Sequence, residues 1–182
     1  MDLLEKTLRE SGNIYSGMAK TIASRLIDVR KEGIKNSLNG FQNQAHRLED
    51  VSRVRGIRFI NDSRATNVNA AWFALESQEQ PVIWIAGGRD ADQDYSPLLP
   101  LAASKVKTMI CLSADGANLI SQFQRVVPAI YEACSMGTAV RMAYEMGSPG
   151  DIVLLSPACP SFDLFENFAD RGDQFKAQVN AL

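Results

Sequence analysis

The chain of 182 residues is 46% hydrophobic, 22% charged and 8% aromatic, and 19 Lys/Arg against 21 Asp/Glu leave a net charge of −2. That composition excludes a disordered chain, and the near balance of charge excludes the basic excess that binds nucleic acid or anionic lipid. The length suits one full domain with part of a second, and the longest apolar runs, such as Val82 to Ala86 and Ile152 to Leu155, fall far short of the roughly 18 residues of a membrane span.

The opening MDLLEKTLRES has neither the basic nor the apolar region of a secretory signal. Cys111, Cys134 and Cys159 lie far apart with no CxxC spacing, so neither a zinc site nor a disulfide framework is expected. A reduced, cytoplasmic setting fits this usage.

Up to about Phe41 the period is helical. Ile14, Met18, Ile22 and Leu26 recur every four residues, then Ile34, Leu38 and Phe41 do the same. Two amphipathic helices follow, joined near Asp28 to Lys31, each with an apolar stripe that needs a partner surface. Some forty residues of helix cannot build a core alone. We therefore divide the chain into a helical segment, 1–45, and a main domain, 46–182.

From about Arg47 strand runs alternate with helical stretches. The spacing predicts a strand at Ile57 to Ile60 and a helix at Val68 to Leu75, then Val82 to Ala86 and Pro97 to Ala103. Val106 to Leu112 and Ala117 to Phe123 follow, then Val126 to Tyr131 and Met136 to Met146, and Ile152 to Leu155 precedes a helical tail from about Leu164. Near-continuous apolar strands belong to a sheet covered on both faces, and short right-handed connections make it mostly parallel. The expected fold is an α/β, doubly wound, mostly parallel sheet with helices on both faces. Ligands of such sheets bind beyond the carboxyl ends of the strands.

The loop Asn61-Asp62-Ser63-Arg64-Ala65-Thr66-Asn67 follows the first predicted strand and leads into a helix. It holds several capping residues where one suffices, together with a cation. Beside simple capping stands an anion or hydroxyl site, with Arg64 facing a carboxylate or phosphate and Asp62 receiving a ribose or an amine. Gly87-Gly88 ends another strand, either as a tight turn or as a point of close backbone approach. The last strand leads into Ser156-Pro157-Ala158-Cys159-Pro160-Ser161-Phe162-Asp163. There Ser161 can cap the following helix or bind a substrate carboxylate, and Cys159 reads as a small buried filler.

Other chemistries are disfavoured. No GxGxxG opens the first βα turn and no GxxxxGKS/T occurs, so neither a Rossmann dinucleotide site nor a P-loop is present. The one histidine, His46, stands ahead of the sheet, a poor position for a Ser-His-Asp triad. A phospho-receiver domain would place lysine where Ser156 stands.

The segments His46-Arg47-Leu48-Glu49, Asn61 to Asn67, Trp84-Ile85-Ala86-Gly87-Gly88 and Leu154 to Asp163, with Arg171-Gly172 following, resemble the UDP-N-acetylmuramoyl-L-alanine:D-glutamate ligases of the Mur ligase family. The resemblance covers nearly the whole chain but only the last part of a three-domain enzyme. That part is the tail of the central ATP-binding domain and the complete C-terminal domain. The resemblance implies an ATP- and magnesium-dependent amide ligase of peptidoglycan synthesis, in which D-glutamate attacks an acyl phosphate. It implies that Arg47 and Asp62 face the nucleotide around its ribose, and that Arg64, Thr66, Ser161, Phe162 and Phe168 line the D-glutamate pocket. The implied partners are D-glutamate, nucleotide and the absent N-terminal and central domains, and the isolated chain is expected to be inactive.

The departures are specific. Arg64 stands where the family loop reads NDSKATN, and a guanidinium is not a geometric replacement for an ammonium. Ala91 stands at a second lysine position, with Arg89 nearby, and Gly12-Asn13 and Ser16 replace the His-Asn and asparagine of an earlier motif. A degenerate, non-catalytic binding module is the alternative these losses leave open.

Overall fold

In the computed structural model, which describes residues 44–89 and 93–182, alternate residues of the apolar strands 82–86 and 152–155 enter two different cores. The helices expected up to Phe41, and Ala91, lie outside the described residues. In chain order the elements are β1 (Glu49–Val54), β2 (Ile57–Asn61), α1 (Val68–Glu76), β3 (Val82–Ala86), a 3-10 turn (Ser96–Leu98) running into α2 (Leu99–Lys105), β4 (Val106–Leu112), α3 (Ala117–Phe123), β5 (Ile130–Ala133), α4 (Met136–Met146), β6 (Ile152–Leu155) and α5 (Phe168–Asn180). Trp84, Met109 and Leu154 pack with Ala71, Leu75, Leu98 and Phe123 under α1, α2 and α3. Ile83, Ile85, Ile110 and Val153 pack with Val140, Phe175 and Val179 under α4 and α5. Each such side chain contributes roughly 1.5–3 kcal/mol by leaving water, and burial on both faces explains why these strands read as unbroken apolar runs.

The sheet has six strands in the order β1-β2-β6-β3-β4-β5. All pairings are parallel except the hairpin of β1 with β2. The doubly wound α/β architecture expected from the sequence is the one observed, with β1 added. A register shift between Asp50 and Ser52 puts a bulge in β1. Val51 and Val54, three apart, therefore pack on the same core, which erases the two-residue period that would have announced a strand. The two-residue turn uses Arg55 at φ 50° and Gly56 at φ 80°, a combination whose twist suits a tight hairpin.

Two boundaries differ from expectation. The predicted strand Val126 to Tyr131 is instead Ile130–Ala133. The N–H groups of Val126 and Val127 close a turn onto the Phe123 carbonyl, and Val127 is apolar because it packs into the core rather than because it pairs. The last helix begins at Phe168, not near Leu164, and Asn167 caps it by accepting from the N–H groups of Ala169 and Asp170. Ser161 does not cap that helix. Its carbonyl accepts from Phe165 N–H in a separate turn, and the apolar Leu164 and Phe165 that suggested helix are core contacts. Among the described residues no helix is long and apolar enough to cross a membrane.

The topology places a crevice at β6. Its neighbours β2 and β3 lead into α1 and α2 on one face, whereas β6 leads to α5 on the other. Adjacent parallel strands whose following segments run to opposite faces leave a gap above their carboxyl ends, where such sheets bind ligands.

Candidate active site at the carboxyl rim of the sheet

Strand register brings the two polar loops together. Asn61 of β2 is paired with Leu155 of β6, so Asp62 and Ser156 emerge side by side, and the Ser156 hydroxyl donates to Asp62 Oδ2 at 3.0 Å. Asp62 Oδ1 accepts the Leu48 N–H at 3.2 Å. The carboxyl is buried, and burial raises its pKa to about 7, against the opposing effects of the Ser156 and Leu48 hydrogen bonds and the nearby Arg47 guanidinium. Arg47 and Asp62, both expected on the nucleotide side, thus stand within electrostatic reach of each other.

The rest of the 61–67 loop divides its work. Asn67 alone caps α1, its side chain accepting from Ala70 N–H at 3.0 Å, which leaves Asp62, Ser63, Arg64 and Thr66 free of that duty. Arg64 is exposed, with its guanidinium carbon 5.3 Å from the centroid of the Phe168 ring and Nη1 3.3 Å from Gln44 Oε1. A planar cation held over an aromatic face is fixed in direction while keeping donors for an anion. Thr66 is half-buried, its N–H donating to the Arg64 carbonyl at 2.9 Å.

Ala158 N–H donates to the Ala65 carbonyl at 2.9 Å, joining the Thr66 loop to the loop that carries Ser161 and Phe162. Ser161 is buried, whereas Phe162 is 67% exposed and stands at the rim as an uncovered apolar surface. The loops thus bring Arg47 with Asp62 and Arg64 with Phe168 at one rim, with Thr66 and Ser161 on hydrogen-bonded neighbouring loops. The paired glycines serve close backbone approach. Gly87 N–H donates to the Pro157 carbonyl and Arg89 N–H to the Pro160 carbonyl, both at 2.9 Å. Gly88 has φ 146°, and a Cβ there would run into the Pro160 carbonyl oxygen.

Sequence reasoning quoted Arg171 among the family's motifs but gave it no role, and it is the group that stitches the rim. Arg171 is 1% exposed. Its Nε donates to Ser63 Oγ at 3.0 Å, Nη2 to the Ser63 carbonyl at 2.9 Å, and both Nη1 and Nη2 to the Cys159 carbonyl at 3.2 Å. Burial lowers its pKa to about 10, opposed by Cys159 and Asp163, so it remains a cation near neutrality. Ser63 Oγ in turn donates to the Phe168 carbonyl at 2.7 Å. The signal was present in the spacing: Arg171, Phe175 and Val179 fall at i, i+4 and i+8 on the buried stripe of α5, where an arginine needs a built set of acceptors. Cys159 is buried, as expected, with its sulfur 2.7 Å from the Tyr95 hydroxyl.

Comparisons with known proteins agree on one family. Residues 46–159 match the family model described as Mur ligase, glutamate ligase domain. The whole chain is 47% identical to 41% of the UDP-N-acetylmuramoylalanine–D-glutamate ligase of Christiangramia forsetii. A Porphyromonas gingivalis protein of the same name is 49% identical over 177 residues, 96% of this chain and 39% of that protein. The chain therefore spans about two fifths of the length of these curated relatives. Among solved structures, the MurF ligase of Thermotoga maritima in complex with ADP has a TM-score of 0.51 at 10% identity, covering 77% of this chain and 32% of its own. E. coli FolC in complex with DHPP and ADP has 0.53 at 19%, covering 76% and 32%; at such identities these two speak for the fold alone. With the domain model matched from His46 to Cys159, more than half of its length, the chain belongs to the Mur ligase family, as a glutamate ligase domain.

Proposed function

We propose that this chain is the D-glutamate-receiving, C-terminal part of an ATP-dependent amide ligase that joins D-glutamate to UDP-N-acetylmuramoyl-L-alanine in peptidoglycan synthesis. On this reading 1–45 is the tail of the central ATP-binding domain, 46–182 is the complete C-terminal domain, and the chain works in the cytoplasm. The observation that carries the proposal is the pairing at one rim of an oriented cation, Arg64 over Phe168, with a buried carboxyl, Asp62, beside Arg47.

The two pairs divide the labour. Arg64 offers its guanidinium to a carboxylate of the incoming amino acid, with the Thr66 and Ser161 hydroxyls as further donors and Phe162 and Phe168 as apolar walls. Holding the amino acid in one orientation lets its amine meet the activated carbonyl as in an intramolecular reaction. Asp62, ionised, accepts from a nucleotide hydroxyl, and Arg47 balances the charge. Activation of the substrate carboxylate as an acyl phosphate is the chemistry that ATP brings to the complete enzyme. Among the described residues no group of three or more His, Cys, Asp or Glu side chains comes together, and magnesium, which is held largely by nucleotide phosphates and water with one or two carboxylates, would enter with the nucleotide of the complete ligase. The isolated chain should therefore bind without turnover.

The test is titration of the chain with ADP and with D- and L-glutamate, followed by addition of the N-terminal and central domains in trans with ATP. Weak, stereoselective D-glutamate binding and ATP-dependent condensation in trans are expected, with Arg64→Lys plus Ala91→Lys raising the rate. A chain that binds neither ligand and restores no condensation would instead be a degenerate module.

A further inference from the structure

The turn leading into β1 is strained twice. His46 and Leu48 have φ of 64° and 44°, a conformation that disfavours residues with a Cβ and persists only where the surroundings impose it. The imposing contacts converge on His46. Its carbonyl accepts the Arg64 N–H at 3.0 Å and its own N–H donates to Glu49 Oε2 at 2.9 Å. The buried ring has Nδ1 3.1 Å from Asn61 Nδ2 and lies edge-on to Phe168, with centroids 6.3 Å apart.

The Asn61 amide cannot turn over. Its Oδ1 accepts from Ser63 N–H at 3.1 Å, and its Nδ2 donates to Glu49 Oε2 at 3.1 Å and to the Gly172 carbonyl at 3.3 Å. The two Nδ2 hydrogens are thus shared among Glu49, Gly172 and His46 Nδ1, and since an amide nitrogen cannot accept, the neutral ring that fits this contact is the one with its proton on Nε2. That nitrogen lies 3.8 Å from Asp173 Oδ1, and Lys176 reaches both Asp173, at 3.0 Å, and Glu49, at 3.6 Å. On α5 the ring is closed in by Gly172, where a Cβ would run into it.

We propose that His46 is a positioning residue: its ring, held in one orientation, presses the 46–48 turn onto Asp62 and ties that turn to the Phe168 end of α5, so that the two sides of the rim form one unit. The consequence for ligands rests on the function proposed above, whereas the consequence for Asp62 does not. The Leu48 N–H and Arg47, both carried by this turn, are two of the groups that hold down the Asp62 pKa.

The experiment follows the Asp62 carboxyl of the 182-residue chain by carbon NMR against pH, in the parent and in His46→Ala, His46→Gln and Gly172→Ala, alongside thermal melting and ADP titration. In His46→Ala and Gly172→Ala the Asp62 midpoint should fall by about one pH unit, because lifting the turn hydrates the carboxyl, and relief of burial, the largest effect on it, outweighs the lost Leu48 and Arg47 contacts. ADP affinity should fall on the order of tenfold through misplacement of the turn, and the double variant should lose no more than either single. His46→Gln, whose Oε1 can accept from Asn61, should remain near the parent. Gly172→Ala keeps a histidine at position 46 but displaces its ring, and serves if His46→Ala does not fold. A folded alanine variant whose Asp62 titrates as in the parent, whatever its melting point, overturns the proposal. A parent that does not bind ADP defeats the functional reading instead, and the Asp62 titration still decides the role of His46.

Discussion

Asp62 combines near-complete burial with a pKa raised from 3.8 to about 7, so the folded chain holds a proton there that the unfolded chain has released. The stability this contributes is fully present below about pH 4 and is lost as pH rises through about 7. Asp62→Asn should therefore flatten the pH dependence of unfolding between those limits and make the chain more stable than the parent at pH 8, by on the order of a few kcal/mol, as urea melts at several pH values would show. Arg171 makes the opposite prediction. Arg171→Ala strands the Ser63 and Cys159 carbonyls that the guanidinium satisfies, and each unpaired buried acceptor costs about 1–3 kcal/mol. Chemical denaturation should show a loss of several kcal/mol, and the rim loops should exchange their amide protons faster than the distant β4 and β5. A sequence names both residues, but it does not show that one carboxyl faces a serine from a strand 94 positions later, nor that the other charge is enclosed by carbonyls from two loops.

At the scale of elements, local chemistry was most legible where the period is long and unbroken, as in β3, β4, β6 and α4. It failed where tertiary packing uses apolar residues outside regular structure. Val126, Val127, Leu164 and Phe165 looked like parts of elements and are core contacts of turns. Conversely, the bulge hid β1. The cap assignment is open to direct measurement. Asn167→Ala should cost α5 about 0.5–2 kcal/mol, whereas Ser161→Ala should leave the melting of that helix unchanged, because Ser161 stands six residues before the observed cap.

For the whole molecule the decisive feature is that β6, the last strand to be made, inserts between β2 and β3. That insertion sets loops from residues 61–67, 87–89 and 156–163 at one rim and gives the family's motifs a common destination. If Asp62 accepts from the nucleotide, binding favours its ionised form. ADP affinity should then fall as pH drops below about 7, by up to about tenfold per pH unit, and calorimetry across pH 5.5 to 8.5 would show it. The amino-acid sequence by itself determined the fold class, the strand-end position of the polar loops and the family, because apolar period and contiguous motifs are local properties of a chain. Only the tertiary structure decided that Asp62 is buried beside Ser156, that Arg64 lies over Phe168 and that His46 and Arg171 bind the rim together. Those facts depend on strand order and register, which bring residues about a hundred positions apart within hydrogen-bond distance.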